Sequence, residues 1–183
     1  MNSLSTDWLA DYFSKNKDKI NNNNWEEVFD DVRDDKYRAE LTKLLMASKI
    51  PFLEYLDRVP GRVFTGVFDI TEVEIPNNIR VIGHSSFSHC FDLKELRCHP
   101  SNAPLTLYDY AFNSCYNLEV VILPKFLNLS GRAIFNNCPK LENIIYLGTK
   151  EDASKWVVST SDWADGSNIK GIQCQDGFLE MVE

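Results

Sequence analysis

The chain has 183 residues, 44% of them hydrophobic and 25% charged, which suits one ordinary domain or a small domain joined to a medium one. A net charge of -8 with no lysine or arginine cluster argues against direct binding to a nucleic-acid backbone, which needs concentrated positive charge. No apolar run approaches the ~18 residues of a membrane span, and the opening MNSLSTDWLADYF lacks the basic start and apolar stretch of a secretory signal. A cytoplasmic protein with no membrane segment is therefore expected.

The first sixty residues show helical periodicity. Thr6 can cap a helix with an apolar face of Trp8, Leu9, Tyr12 and Phe13, closed by Lys15, Lys17 and Lys19. Asn24, with Glu27 three residues on, starts a second carrying Trp25, Val28, Phe29 and Val32. A third comes after Asp34-Asp35 with Tyr37, Leu41, Leu44 and Leu45 on one stripe, and Pro51 suits the first turn of a fourth with Phe52, Leu53 and Leu56. Four short amphipathic helices predict a small bundle over residues 1–60, ending at Val59-Pro60-Gly61 and docked on the remainder of the chain. The acidic run Asp30, Asp31, Asp34, Asp35 lacks the glycine and closing glutamate of a calcium loop and reads as a solvated turn.

From residue 68 the period lengthens. F-x-x-C recurs at Phe87-Cys90, Phe112-Cys115 and Phe135-Cys138, and alternating apolar segments recur with it: Ile70-x-x-Val73-x-Ile75, Leu93-x-x-Leu96-x-Cys98, Leu118-x-x-Val121-x-Leu123 and Leu141-x-x-Ile144-x-Tyr146. A fixed period of one short strand and one compact return predicts a solenoid. The stretches IPNNIRVIGHSSFSHCFDLKEL and ILPKFLNLSGRAIFNNCPKLENI resemble the BspA-like class of leucine-rich repeats, over roughly residues 68 to 178. The ending, IIYLGTKEDASKW and then Ile172-x-Cys174-x-Asp176-Gly177, is similar to the closing segment of that family. The front end, on Leu41 to Pro60, resembles one found on phage-encoded proteins of this type. The middle unit, HPSNAPLTLYDYAF, departs from the pattern by lacking I-P and replacing I-G with Leu107-Tyr108, so its return loop is expected to bulge. The resemblance implies a right-handed coil that binds macromolecules, a phage or bacterial origin, and no catalytic residues.

The resulting expectation is an α+β chain: a helical domain over 1–60, then a leucine-rich-repeat solenoid over 61–183 with a parallel strand ladder and a C-terminal cap. Thr149 and Asp152 would start a capping helix through Trp156, and Trp156 and Trp163 would cover the last coil. Stacked coils put Cys90, Cys115 and Cys138 in one interior column and Cys98 in another, with Ile75, Leu123 and Tyr146. The pairs His89-Cys90 and Cys98-His99 then fall on different sides of the coil, which suits neither a zinc site nor a Cys-His dyad. An odd five cysteines without C-x-x-C reads as buried reduced thiols. No metal, cofactor or enzymatic activity is expected.

The outward strand positions form two further columns: Glu72, Glu95, Val120 and Asn143, then Glu74, Arg97, Ile122 and Ile145. Charge on the first coils and apolar side chains on the last two is the chemistry of a protein-binding face, so the candidate partner-binding residues are Glu72, Glu74, Glu95, Arg97, Val120, Ile122 and Ile145. The expected function is a non-enzymatic protein-interaction module: a phage accessory protein acting in the host cytoplasm on a host defence or regulatory protein. Homodimerisation is another use of the same face. The alternatives are an acidic mimic of nucleic acid toward a basic host protein, built on Glu72, Glu74, Glu95 and the Asp30–Asp35 cluster, or a cell-surface-type adhesion repeat.

Overall fold

The computed structural model describes residues 57–59, 61–159 and 162–181. Its main sheet is built from four-residue strands with alternate residues buried: β2 (Glu72–Ile75), β4 (Glu95–Cys98), β6 (Val120–Leu123) and β8 (Asn143–Tyr146). These pair in parallel, β9 (Gly171–Cys174) continues the ladder, and β10 (Gly177–Glu180) closes it antiparallel. Shorter strands, β1 (Arg58–Val59), β3 (Val81–Ile82), β5 (Leu105–Leu107) and β7 (Leu127–Leu129), form a second parallel sheet. The register stacks Val73, Leu96, Val121, Ile144 and Ile172 in one interior column.

The third side of the coil is the F-x-x-C return. Its rungs are joined by backbone bonds from Phe64, Phe87, Phe112 and Phe135 N–H to the carbonyls of Ser86, Ala111, Ile134 and Trp163, at 2.8 to 2.9 Å. Residues two before and two after each phenylalanine are left-handed: Arg62 and Gly66, Ser85 and His89, Tyr110 and Ser114, Ala133 and Asn137. That conformation costs about 1–2 kcal/mol for each non-glycine residue, so the packing must hold it. It does so through the phenylalanine rings, which stack almost parallel at 4.8, 5.2 and 5.5 Å and are essentially inaccessible to solvent.

Helix α1 (Lys150–Ser159) and the segment after it close the far end. Thr149 Oγ1 accepts from Asp152 N–H at 3.2 Å and donates to its carboxylate, an N-cap on an acidic first turn. Trp163 packs edge-on against Phe135 at 6.1 Å, and Trp156 packs edge-on against both Trp163 and Tyr146.

The α+β class is corrected by this architecture. The described residues form a β-solenoid of about four turns, with α1 as its one helix, and contain no N-terminal helical bundle. Residues 1–56, on which the four helices were expected, lie outside the described residues. Where that bundle was to end, Arg58–Val59 is instead a strand on β3, and Val59 is fully buried. The coil thus has an earlier return than its cysteine marks indicate. Phe64 takes the first place in the stack, with Val67 in the position occupied later by Cys90, Cys115 and Cys138.

The middle unit is corrected too. Its return keeps the common path, with Ile82, Leu107 and Leu129 in register, and the additional residues fall at 99–104, in the corner before β5. Among the described residues no helix is long and apolar enough to cross a membrane.

Truncating the middle of the stack tests its weight. Phe112→Ala should lower the unfolding free energy by about 3–5 kcal/mol in urea titration, whereas Phe126→Ala, at an exposed corner, should change it by less than about 0.5 kcal/mol.

Candidate interaction surface

Side chains alternate across a strand, so the buried columns of the main sheet leave an equal set facing out. The register pairs Glu72 with Glu95 and Glu95 with Val120, and aligns Glu74, Arg97, Ile122, Ile145 and Gln173. Glu72, Glu74 and Arg97 are exposed, Glu95, Val120 and Ile122 are half-buried, and Ile145 is 39% exposed. The seven residues singled out from sequence therefore share one face, charged over β2 and β4 and apolar over β6 and β8.

The charged end partly neutralises itself. The Arg97 guanidinium is ion-paired to the Glu95 carboxylate, and His99 Nε2 lies 3.5 Å from Glu74 Oε2. The apolar end is extended by a residue that the repeat pattern missed. β10 returns beside β9 and places Phe178 opposite Gln173, in line with Ile145, with its ring over Gly171 and 44% exposed. A Cβ at Gly171 would collide with Phe178 Cζ, so the glycine admits the ring. The signal was Asp176-Gly177 at the junction of the two segments, where the chain turns through Gln175 and Asp176 and Gly177 opens β10.

Cys90, Cys98 and Cys115 are pushed toward the protonated thiol, whereas the hydrogen bond with the Cys115 thiol lowers the neighbouring Cys138. Cys90, Cys115 and Cys138 each donate their S–H to the carbonyl of the phenylalanine one turn back, Phe64, Phe87 and Phe112, at 3.1 to 3.3 Å. Burial pushes the Cys90 and Cys98 thiols up to about 12, far from a thiolate at neutral pH. The neighbouring Cys138 thiol and then burial hold Cys115 well above the ordinary range. Cys98 lies in the interior of the main sheet, level with Ile75, and His89 is exposed beside Ser88 and Phe91. Among the described residues no group of three or more His, Cys, Asp or Glu side chains could hold a metal ion.

The model of the BspA type leucine rich repeat region matches residues 43–161, in six copies. Among solved structures, the leucine-rich repeat protein of T. pallidum aligns with 49% of this chain at 21% identity and a TM-score of 0.36. The alignment spans 52% of that protein, about half its length. A search of curated proteins finds no match to the sequence.

The thiols make a pH prediction with a defined sign. Cys90 and Cys98 stay protonated in the fold up to about 12, whereas the unfolded chain releases these protons from the ordinary value of 9.0. Their stabilisation is thus complete below pH 9 and is lost as pH rises toward 12, at about 1.4 kcal/mol per thiol and pH unit. Urea titrations on either side of pH 9 should show this fall, and Cys98→Ala should reduce it. A Cys98→Ala protein with the wild-type alkaline slope would contradict the assignment.

Proposed function

This chain belongs to the BspA type leucine-rich repeat family, and on that premise we propose that it is a non-enzymatic protein-interaction module that binds through the outward face of its main sheet. The repeat supports a protein-interaction or adhesion-type module in general. The observation that carries the particular face is the register, which aligns Ile122, Ile145 and Phe178 and sets Val120 beside them, next to Glu72, Glu74 and Arg97. An apolar centre with a charged margin lets a partner bury the centre for about 25 cal/mol per Å² while the margin sets orientation. A flat ladder also holds these side chains at fixed spacing, so little entropy is lost when they are covered.

An acidic mimic of nucleic acid is the weaker reading. Glu95 is occupied by Arg97 and Glu74 stands beside His99, so the face does not present an uninterrupted row of anions. The narrower reading, a phage accessory protein acting on a host protein, draws on the resemblance of Leu41 to Pro60. A second copy of the chain would be served by the same apolar centre.

Two charge insertions test the face. Immobilised Ile122→Asp and Ile145→Asp proteins should retain about tenfold less of any bound protein than wild type, with urea midpoints close to wild type. Equal recovery by variants and wild type would remove this face from consideration. Sedimentation of the free protein separates self-association from capture of another chain.

A further inference from the structure

The corners between the two sheets lie away from the strand face and carry a separate feature. The turns after β2, β4, β6, β8 and β9 together line a groove of about 810 Å³. Because each contributes from a successive coil, the groove runs along the solenoid axis. Four steps of ~4.8 Å give a length of about 19 Å.

Its charge is opposite to that of the chain. The protein carries a net -8, yet among the described residues the groove is lined by Arg80 and Lys125 and by no aspartate or glutamate. Neither cation has a carboxylate partner among the described residues. Arg80 is half-buried and fixed by neutral acceptors, its Nη1 donating to Asn77 O at 2.5 Å and to Ser101 Oγ at 3.0 Å. That leaves the rest of the guanidinium fork for another acceptor. Lys125 Nζ lies 5.5 Å from the centre of the Phe126 ring. Asn77, Asn102 and Gln175 add side-chain amides from three different coils, the groups that pair with an extended backbone.

We propose that this corner groove binds an extended acidic peptide segment of a partner protein. The length matches about six residues of extended polyproline II chain at ~3.1 Å each. Arg80 and Lys125 are two coils apart, about 10 Å, so the acceptors are two carboxylates three residues apart in a polyproline II conformation, whose three-residue turn brings both to one side about 9 Å apart. Phe126 and Pro100 give the intervening small residues an apolar floor. At physiological salt the Debye length is about 8 Å, so the two cations in the groove outweigh the more distant acidic surface. Pro100 to Ala103, in the longer corner before β5, line part of this groove.

The test is fluorescence anisotropy at about 0.15 M salt, with the full chain and a labelled acetyl-Ser-Glu-Ala-Ala-Glu-Ser peptide, beside a counterpart in which glutamine replaces both glutamates. The glutamate peptide should bind, the glutamine peptide about tenfold more weakly, and added salt should weaken the first. Lys125→Glu should weaken binding about tenfold, while Lys125→Arg holds it within about twofold. Lys125 is exposed, so its replacement should leave the urea midpoint unchanged. Ile122→Asp should bind the peptide as wild type does, which separates this groove from the strand face. No binding of the glutamate peptide, equal binding of the glutamine peptide, or indifference to Lys125→Glu would overturn the proposal. So would loss of binding in Ile122→Asp, or displacement by citrate at the peptide's own concentration, which would mark a small-anion site.

Discussion

Parallel coils stay in register only if each repeats the path of its neighbour at one strand spacing, and here the phenylalanine column imposes that path. Each ring meets the next nearly face to face at about 5 Å. That separation is also the rise of the strand ladder, ~4.8 Å, so rings and rungs reinforce each other. The return around each ring would be unstable alone, because Ser85, His89, Tyr110, Ser114, Ala133 and Asn137 occupy the left-handed region without being glycine. Their conformation turns three N–H groups of each return along the axis. In the second coil these are Ser85, Phe87 and His89, which reach Asp109, Ala111 and Asn113. Burial of the ring and these three bonds offset the backbone cost.

The cysteines belong to the same device. A small side chain is needed at the inner end of the return, and its S–H finds the phenylalanine carbonyl of the coil before. Val67, in the first coil, shows that the bond is not indispensable and that the volume matters. A buried thiol is a small hydrophobe with a weak donor, which is what this position asks for. The same burial holds the Cys90 and Cys115 thiols above their ordinary range.

Much of this was legible in the residues because a repeat prints the same demand several times. Ile75, Val73, Leu96 and Val121 alternate with Glu72, Glu74, Glu95 and Arg97, and alternation fixes which side faces out. The cap was legible from Thr149 and Asp152 and from two tryptophans with no other place to go. What failed was local. The helical reading of the front end treated Val59 as the end of a bundle, but it is a buried rung, and Phe64-x-x-Val67 lacks the cysteine that marks the other returns. The groove was invisible for a different reason: corner turns are where the repeats differ, and Arg80, Lys125 and Gln175 share no period. Phe178 lay beyond the last repeat, where only the hairpin dipeptide pointed to it.

Two surfaces with different chemistry result from one coil, an apolar strand face and a cationic corner, both carried by side chains that the core does not use. Both depend on the column holding the coils in register. Native-state hydrogen exchange at the Phe64, Phe87, Phe112 and Phe135 amides tests that dependence most directly. If the column is the element on which the fold depends, these amides exchange only through global unfolding, with protection equal to the free energy from urea titration. Exchange of the same amides through a smaller local opening, while the strand ladder stays protected, would contradict it.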